Sequence, residues 1–155
     1  LAEDVVSASR ELHAKRRNVA VSFSREPKTG NGFFVAGHGT RLGQVINNLI
    51  DNAVSFVSEH TGKVDVYLSL ENQDLLMIVE DNGPGINAED VDRIFERFYT
   101  DRADTDGFGQ NSGLGLSISR QIIEAHGGTI HAENRTGATT GARFIVKLPL
   151  EPVSK

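Results

Sequence analysis

An acid that closes an apolar run and opens a glycine-proline-glycine turn is where this sequence first concentrates chemistry. Residues 79–86 read V-E-D-N-G-P-G-I. The apolar residues just before, 75–79, read as a buried strand, which delivers Asp81 to the mouth of a pocket. Gly83 and Gly85 add no side-chain bulk, so a flat ligand can approach the backbone closely, and Pro84 stiffens the bend while removing one donor. The group best served is a planar base with an amino donor, such as adenine. A hydrogen bond from a neutral amine to an ionised acid contributes roughly 1.5 to 3 kcal/mol and discriminates against bases that present an acceptor there. The same octet is also good turn chemistry, and an ordinary strand-to-helix turn needs nothing more.

Two further constellations could do chemistry. Asn48 and Asn52 lie four apart, with Gln44 one turn earlier, so three amides line one edge of a helix. Asparagine is a mediocre helix former, and two stacked in mid-helix suggest a task. A magnesium ion, whose octahedral shell accepts a neutral amide oxygen beside phosphates and waters, is one. A polar edge bonded to a neighbouring loop is the other. Later, Ser112-Gly113-Leu114-Gly115-Leu116 opens a helix, and a glycine-rich helix start turns several N–H groups toward one spot. Phosphate is the usual occupant of such a place. It is neither the dinucleotide fingerprint nor a lysine P-loop, because no strand feeds it and no G-K-S/T follows. A plain helix start is the competing reading.

The elements that must position these residues follow from periodicity. Residues 1–17 place Leu1, Val5, Ala8 and Leu12 at helical intervals, and Val19, Val21 and Phe23 alternate as a short strand. Residues 33–36 read as a second short strand. A strong helix spans 41–57, with Leu42, Val45, Ile46, Leu49, Ile50, Ala53 and Val54 on its apolar face and Thr40 as candidate cap. Residues 63–70 and 75–79 form an expected antiparallel hairpin. Residues 88–99 predict a short helix with Val91, Ile94, Phe95 and Phe98 inward, Phe95 and Phe98 serving the core rather than a stacking surface. Residues 100–111 (T-D-R-A-D-T-D-G-F-G-Q-N) hold almost nothing that could be buried and read as a mobile loop. The next helix runs to His126 and closes on Gly127-Gly128, and the last strands span 129–133 and 143–148.

Composition narrows the function classes. With 155 residues the chain suits one domain with a real core. A formal net charge of -5 argues against a nucleic-acid partner held through phosphates, and the basic run 15–17 is too short to change that. The absence of cysteine removes disulfides and thiolate metal sites and fits a reducing compartment. His13, His38 and His60 fall in no ligand-like spacing. No apolar run approaches the roughly 20 residues that span a bilayer, so no membrane contact is expected of this piece. It begins at Leu1 inside a helix-like pattern, which suggests a fragment of a longer protein.

Four stretches now stand in one order: N-L-I-D-N-A from Asn48, V-E-D-N-G-P-G-I from Val79, I-F-E-R-F-Y from Ile94 and S-G-L-G-L-S-I from Ser112. Together they resemble the N box, first glycine box, F box and second glycine box of the ATP-binding catalytic domain of bacterial sensor histidine kinases. The resemblance covers nearly the whole chain. It implies an α/β fold, a two-layer α/β sandwich of Bergerat type, with a mixed sheet under a layer of three helices and an ATP lid at 100–111. It implies a single catalytic domain over 1–155, its leading helix 1–17 joining a dimerisation domain. By resemblance Asp81 reads the adenine, Asn52 holds Mg²⁺, and Asn48 sits beside metal and phosphates as the catalytic asparagine. Gly83, Gly85 and Ile86 shape the base pocket. Ser112, Gly113, Leu114, Gly115 and Leu116 form the phosphate loop, and Phe98 and Arg102 join the nucleotide site. The implied cofactors are ATP and Mg²⁺. The implied partners are a histidine-bearing dimerisation domain of the same protein and a downstream response regulator, and the implied location is the cytoplasmic side of an inner-membrane sensor.

Several positions depart from the family pattern. Ser55 stands where Lys or Arg usually reaches phosphate, His38 where Asp is common, and Ala142 where Thr or Ser is usual. None of the five histidines is followed by an acid, so the phosphoacceptor is expected on another domain. The related ATPases of gyrase, chaperone and mismatch-repair type carry a water-activating glutamate where this chain has Asn48, and an amide cannot take a proton from water at neutral pH. A sigma-factor-binding serine kinase and a degenerate module without nucleotide are the other readings.

Overall fold

The structure, a computed structural model, describes residues 4–8, 19–25, 39–57, 61–87, 89–96, 115–136 and 140–149. Its elements are β1 (Ala20–Arg25), α1 (Gly39–Phe56), β2 (Lys63–Glu71), β3 (Asp74–Asp81), a 3-10 turn (Arg93–Phe95), α2 (Gly115–Ala125), β4 (Thr129–Asn134) and β5 (Ala142–Pro149), preceded by helical residues 4–8. The five strands form one mixed sheet in the order β1-β2-β3-β5-β4. Only β1 and β2 pair in parallel, and the other neighbours are antiparallel.

Alternation sets the two faces of the sheet. On one face Val64, Val66, Val79, Phe144 and Val146 are all but completely buried. Helix α1 covers that face, touching β2, β3 and α2, while α2 touches β4 and the 3-10 turn. The apolar stripe of α1 does what its spacing requires: Leu49, Ile50 and Ala53 have no exposed surface, and Val45, Ile46 and Val54 are nearly as buried. Each large side chain buried this way contributes about 1.5–3 kcal/mol, so packing rather than propensity holds a helix that carries three mid-helix asparagines, Asn47, Asn48 and Asn52. The other face of the sheet is polar at one end, where the register sets Ser22, Asp65, Glu80, Arg143 and Glu133 in one row.

Local chemistry explains the joints. The β2-β3 hairpin turns at Asn72, which takes φ 57, a left-handed conformation that asparagine tolerates. Helix α2 ends in a Schellman motif, with Gly127 at φ 79, its N–H donating to Glu124 O at 3.0 Å, and the Gly128 N–H donating to Ile123 O at 2.9 Å. A Cβ at Gly128 would lie 2.2 Å from Lys147 O, so the chain can enter β4 there only as glycine.

The structure corrects three local expectations. Thr40 is not the cap of α1, because the helix already includes Gly39. The short helix expected at 88–99 is, within 89–96, a turn followed by the 3-10 segment Arg93–Phe95; Ile94 and Phe95 are buried nonetheless. Phe95 is a core residue, edge-on to Phe144 at 6.2 Å, with Arg120 above its outer side at 5.8 Å. In residues 4–8 the fully buried side chain is Val6, while Ala8 is exposed and Val5 is half-buried. The strand expected at 33–36 lies outside the described residues.

Candidate nucleotide-binding site

Strand β3 ends on Asp81, whose side chain falls on the covered face of the sheet and is only 3% exposed. Its Oδ1 accepts two backbone hydrogen bonds, from Gly83 N–H at 2.9 Å and from Ala142 N–H at 3.2 Å. The first is an Asx turn that starts the glycine loop, and the second comes from the opening residue of β5. With both amides on Oδ1, the second carboxylate oxygen keeps its acceptor capacity. Burial raises the Asp81 pKa above its ordinary value, opposed by the Gly83 and Ala142 amides and the Arg135 guanidinium, with Glu80 adding to the rise. The protein therefore spends stability to keep an acid here.

The surroundings of Asp81 come from distant sequence. Arg135 donates from Nη1 to Asp81 O at 3.1 Å and pairs through Nε with Glu80 at 2.9 Å. Gly141, at φ 139, packs so closely that a Cβ would lie 1.8 Å from Asp81 O. Asn134 bonds the backbone of Ile86, and Gly85, at φ 88, would place a Cβ 2.7 Å from Asn134 Oδ1. Gly83 is buried, while Gly85 and Ile86 are half-buried, with Ile86 packed against the core. Asn82 fixes the other side of the turn: its Oδ1 accepts from Lys63 N–H at 2.8 Å and its Nδ2 donates to Thr61 O at 3.0 Å.

The asparagine edge of α1 meets the start of α2. Asn48 Nδ2 donates to Gly115 O and to Ser119 Oγ, each at 3.3 Å. A carbonyl oxygen can only accept, so the NH₂ must face α2 and Asn48 Oδ1 must face away from it. A Cβ at Gly115 would lie 3.8 Å from the Asn48 amide carbon, in ordinary contact. One turn on, Asn52 is half-buried, and its side-chain amide takes no hydrogen bond among the described residues, which leaves a hard oxygen donor at the same edge. Ser55 is buried and donates to Asn52 O at 2.6 Å, so this position bonds to its own helix and supplies no cation.

The site residues expected from sequence thus divide. Asp81, Gly83, Gly85 and Ile86 form one turn, and Asn48 and Gly115 are in contact. Leu116 is half-buried and packs partly against the core. Ser112, Gly113, Leu114, Phe98, Arg102 and the lid 100–111 lie outside the described residues. Residues that local spacing did not mark are Ser119, Asn134, Arg135 and Gly141. The signal for Gly141 and Asn134 was a turn-rich stretch before the last strand, but nothing in the sequence tied it to Asp81. No cluster of three or more His, Cys, Asp or Glu that could hold a metal occurs among the described residues. A fully proteinaceous cage is therefore not what the described residues offer. One or two amide oxygens suit a Mg²⁺ whose other ligands are phosphates and water. No helix among the described residues is long and apolar enough to cross a membrane.

Known proteins with related sequence and structure place this geometry. Residues 37–152 match the model of the histidine kinase-, DNA gyrase B- and HSP90-like ATPases. The sensor protein ChvG of Agrobacterium fabrum is 54% identical over 154 residues, which is 96% of this chain and 26% of that protein. The sensor protein CutS of Streptomyces coelicolor is 36% identical over 97% of this chain and 35% of its own length. The chain thus spans about a quarter to a third of the length of these ChvG and CutS relatives. Among solved structures, the catalytic domain of histidine kinase ThkA is 32% identical, with a TM-score of 0.77 over 96% of this chain and 89% of that one. The mycobacterial sensor histidine kinase MprB is 26% identical, with a TM-score of 0.80 over 97% of both chains. ThkA in complex with the response regulator TrrA aligns with a TM-score of 0.76 and 30% identity over 99% of this chain and 41% of that one. With its mixed sheet under α1 and α2 and a buried aspartate at the end of β3, the chain belongs to the histidine kinase-, DNA gyrase B- and HSP90-like ATPase family, with the fold of a histidine kinase catalytic domain.

Proposed function

We propose that this chain binds ATP with Mg²⁺ and donates the γ-phosphoryl group to a histidine on a separate helical dimerisation domain, in a two-component pathway that ends on a response regulator. The observation that carries the reading is Asp81: a buried acid held by two backbone amides on one oxygen, with the other oxygen able to accept from the exocyclic amine of adenine. The protein's task in phosphoryl transfer is positioning more than covalent chemistry. Asp81 and the turn 83–86 orient the base. Asn52 fits the metal, with Asn48 Oδ1 beside it, and bound magnesium would neutralise charge on the phosphate oxygens. Backbone amides at 112–116 would hold the phosphates, the loop 100–111 would close over them as a lid, and Arg102 is the proposed cationic contact in place of Ser55. Transfer forms a bond from an imidazole nitrogen to the γ-phosphorus and breaks its bond to the bridging oxygen, so ADP leaves.

One observation favours transfer over hydrolysis, and a second supports an acceptor outside the described residues. Asn48 occupies the place of a water-activating acid, and its amide nitrogen is bonded into α2. His131 lies on the exposed side of β4, with Ile130 and Ala132 facing the core, and His126 Nδ1 bonds Ile122 O at 2.7 Å. Neither offers an acceptor to the helix-covered face. Relatives named as sensor proteins, longer than this chain, support a larger protein around this domain, and the ThkA complex supports a response regulator as partner; the proposed location is the cytoplasmic side of an inner-membrane sensor. Calorimetry with ATP, with and without Mg²⁺, together with phosphate release in the same samples, tests the proposal. Magnesium-enhanced binding with negligible turnover is expected, and rapid hydrolysis by the isolated chain would overturn it.

A further inference from the structure

We propose that Asn134, at the end of β4, is a positioning residue for nucleotide binding that clamps Ile86 from both sides and holds the base-side turn in its ligand-ready form. The inference rests on the nucleotide reading above. Ile86 N–H donates to Asn134 Oδ1 at 2.7 Å, and Asn134 Nδ2 donates to Ile86 O at 2.7 Å. One side-chain amide thus satisfies both peptide groups of a single residue, as a neighbouring strand would. The turn is tied at its other end too, where Gly83 N–H bonds Asp81 Oδ1.

Both ties refer to the same place. Asn134 pairs in register with Ala142, and Ala142 N–H is the second donor to Asp81. The β4-β5 end therefore fixes the acid and the far end of the glycine turn together, which sets the span in which a planar base must lie. The clamp also gives Gly85 its reason, since at φ 88 a Cβ would meet Asn134 Oδ1 at 2.7 Å. Asn134 itself is exposed, so its amide is not there to satisfy buried polar groups. Without the clamp the fold has little to lose, but the turn must be ordered by each ligand that binds, and ordering costs affinity.

The test is ATP-Mg²⁺ calorimetry on the wild-type chain, Asn134→Ala and Asn134→Asp, with thermal melts and amide exchange at Ile86 on the same samples. Asn134→Ala should weaken binding about tenfold, keep its melting midpoint within about 2 °C of wild type and speed exchange of the Ile86 amide. Asn134→Asp keeps the acceptor for the Ile86 N–H and should recover part of the affinity. If wild type binds and Asn134→Ala binds within twofold of it, the clamp plays no part in recognition. Equal weakening in both variants with a matching fall in midpoint would make Asn134 a structural residue and overturn the inference. A wild-type chain that does not bind would overturn the nucleotide reading itself, and the inference with it.

Discussion

The two ends of the site are built on opposite plans. At the base end, around Asp81, backbone groups of the turn and of β5 are tied to side chains, and two glycines, Gly85 and Gly141, stand at positive φ where no Cβ fits. At the phosphate end, along α1, the asparagine edge has one side-chain amide anchored into α2 and another, that of Asn52, with no hydrogen bond among the described residues. A rigid, satisfied base pocket can discriminate between bases, because an ill-matched ligand finds unpaired groups and no room to adapt. A phosphate end with spare oxygen donors waits for a ligand that brings its own charge and metal. Substitutions at the buried groups of the base end should therefore trade fold stability against recognition, whereas those at the exposed Asn134 and the unanchored Asn52 should change recognition with little effect on the fold.

The largest expected effect is at Gly141. A Cβ 1.8 Å from Asp81 O at φ 139 cannot be absorbed by a rotamer change, so Gly141→Ala should cost more than about 3 kcal/mol and displace the β4-β5 connection. Chemical denaturation checks it, and a loss under about 1 kcal/mol would mean the base end is softer than its contacts imply.

Asp81 comes next, with opposite signs for stability and binding. Its folded pKa is raised above 3.8 by burial, so the ionised acid costs stability at pH values above the folded pKa, and that cost disappears as pH falls to 3.8. Asp81→Asn keeps the oxygen that accepts both amides and removes the buried charge. Its melting midpoint at pH 8 should match or exceed wild type by a few degrees, roughly the scale of 1 kcal/mol in a chain this long, and the gain should fade as pH drops toward 3.8. For the wild-type chain, nucleotide affinity should begin to fall at a higher pH than an ordinary aspartate would give. Melts and calorimetry across pH check both.

The asparagines of α1 follow, the anchored amide before the unanchored one. Asn48→Ala removes two hydrogen bonds of 3.3 Å between α1 and α2 and leaves Ser119, fully buried, without one partner, at a cost of about 1 to 2 kcal/mol measured by denaturation. Asn52→Ala should leave the midpoint within about 1 °C and remove the magnesium dependence of ATP binding. An unchanged metal response would move the metal elsewhere.

How much of this was legible in the sequence depends on how local each cause is. The asparagine edge, the apolar face of α1 and the junction at Asp81 each arise from spacing within one element, and the structure realises them. Gly127 and Gly128 likewise announce the end of α2. Asn134 and Ala142 were not legible as parts of the site, because 48 residues separate Asn134 from Ile86 and 61 separate Ala142 from Asp81. They meet only through strand order, which places β5 between β3 and β4. Within 89–96 the expected helix gives way to a tight turn: Ile94 and Phe95 have a helical interval to Val91, yet what buries them is that turn against α2 and Phe144. Ser55 reads as a missing cation in sequence, and its bond to Asn52 O shows what the position does here.

Asp81 is the pivot of the nucleotide reading, and the most direct measurement is ATP-Mg²⁺ calorimetry on the wild-type chain beside Asp81→Asn at neutral pH, with melts confirming both folds. Tight binding by the wild type and a loss of at least about tenfold in a well-folded Asp81→Asn is the expected result. Equal affinity in the two proteins would contradict the assignment of Asp81 as the acid that reads the base.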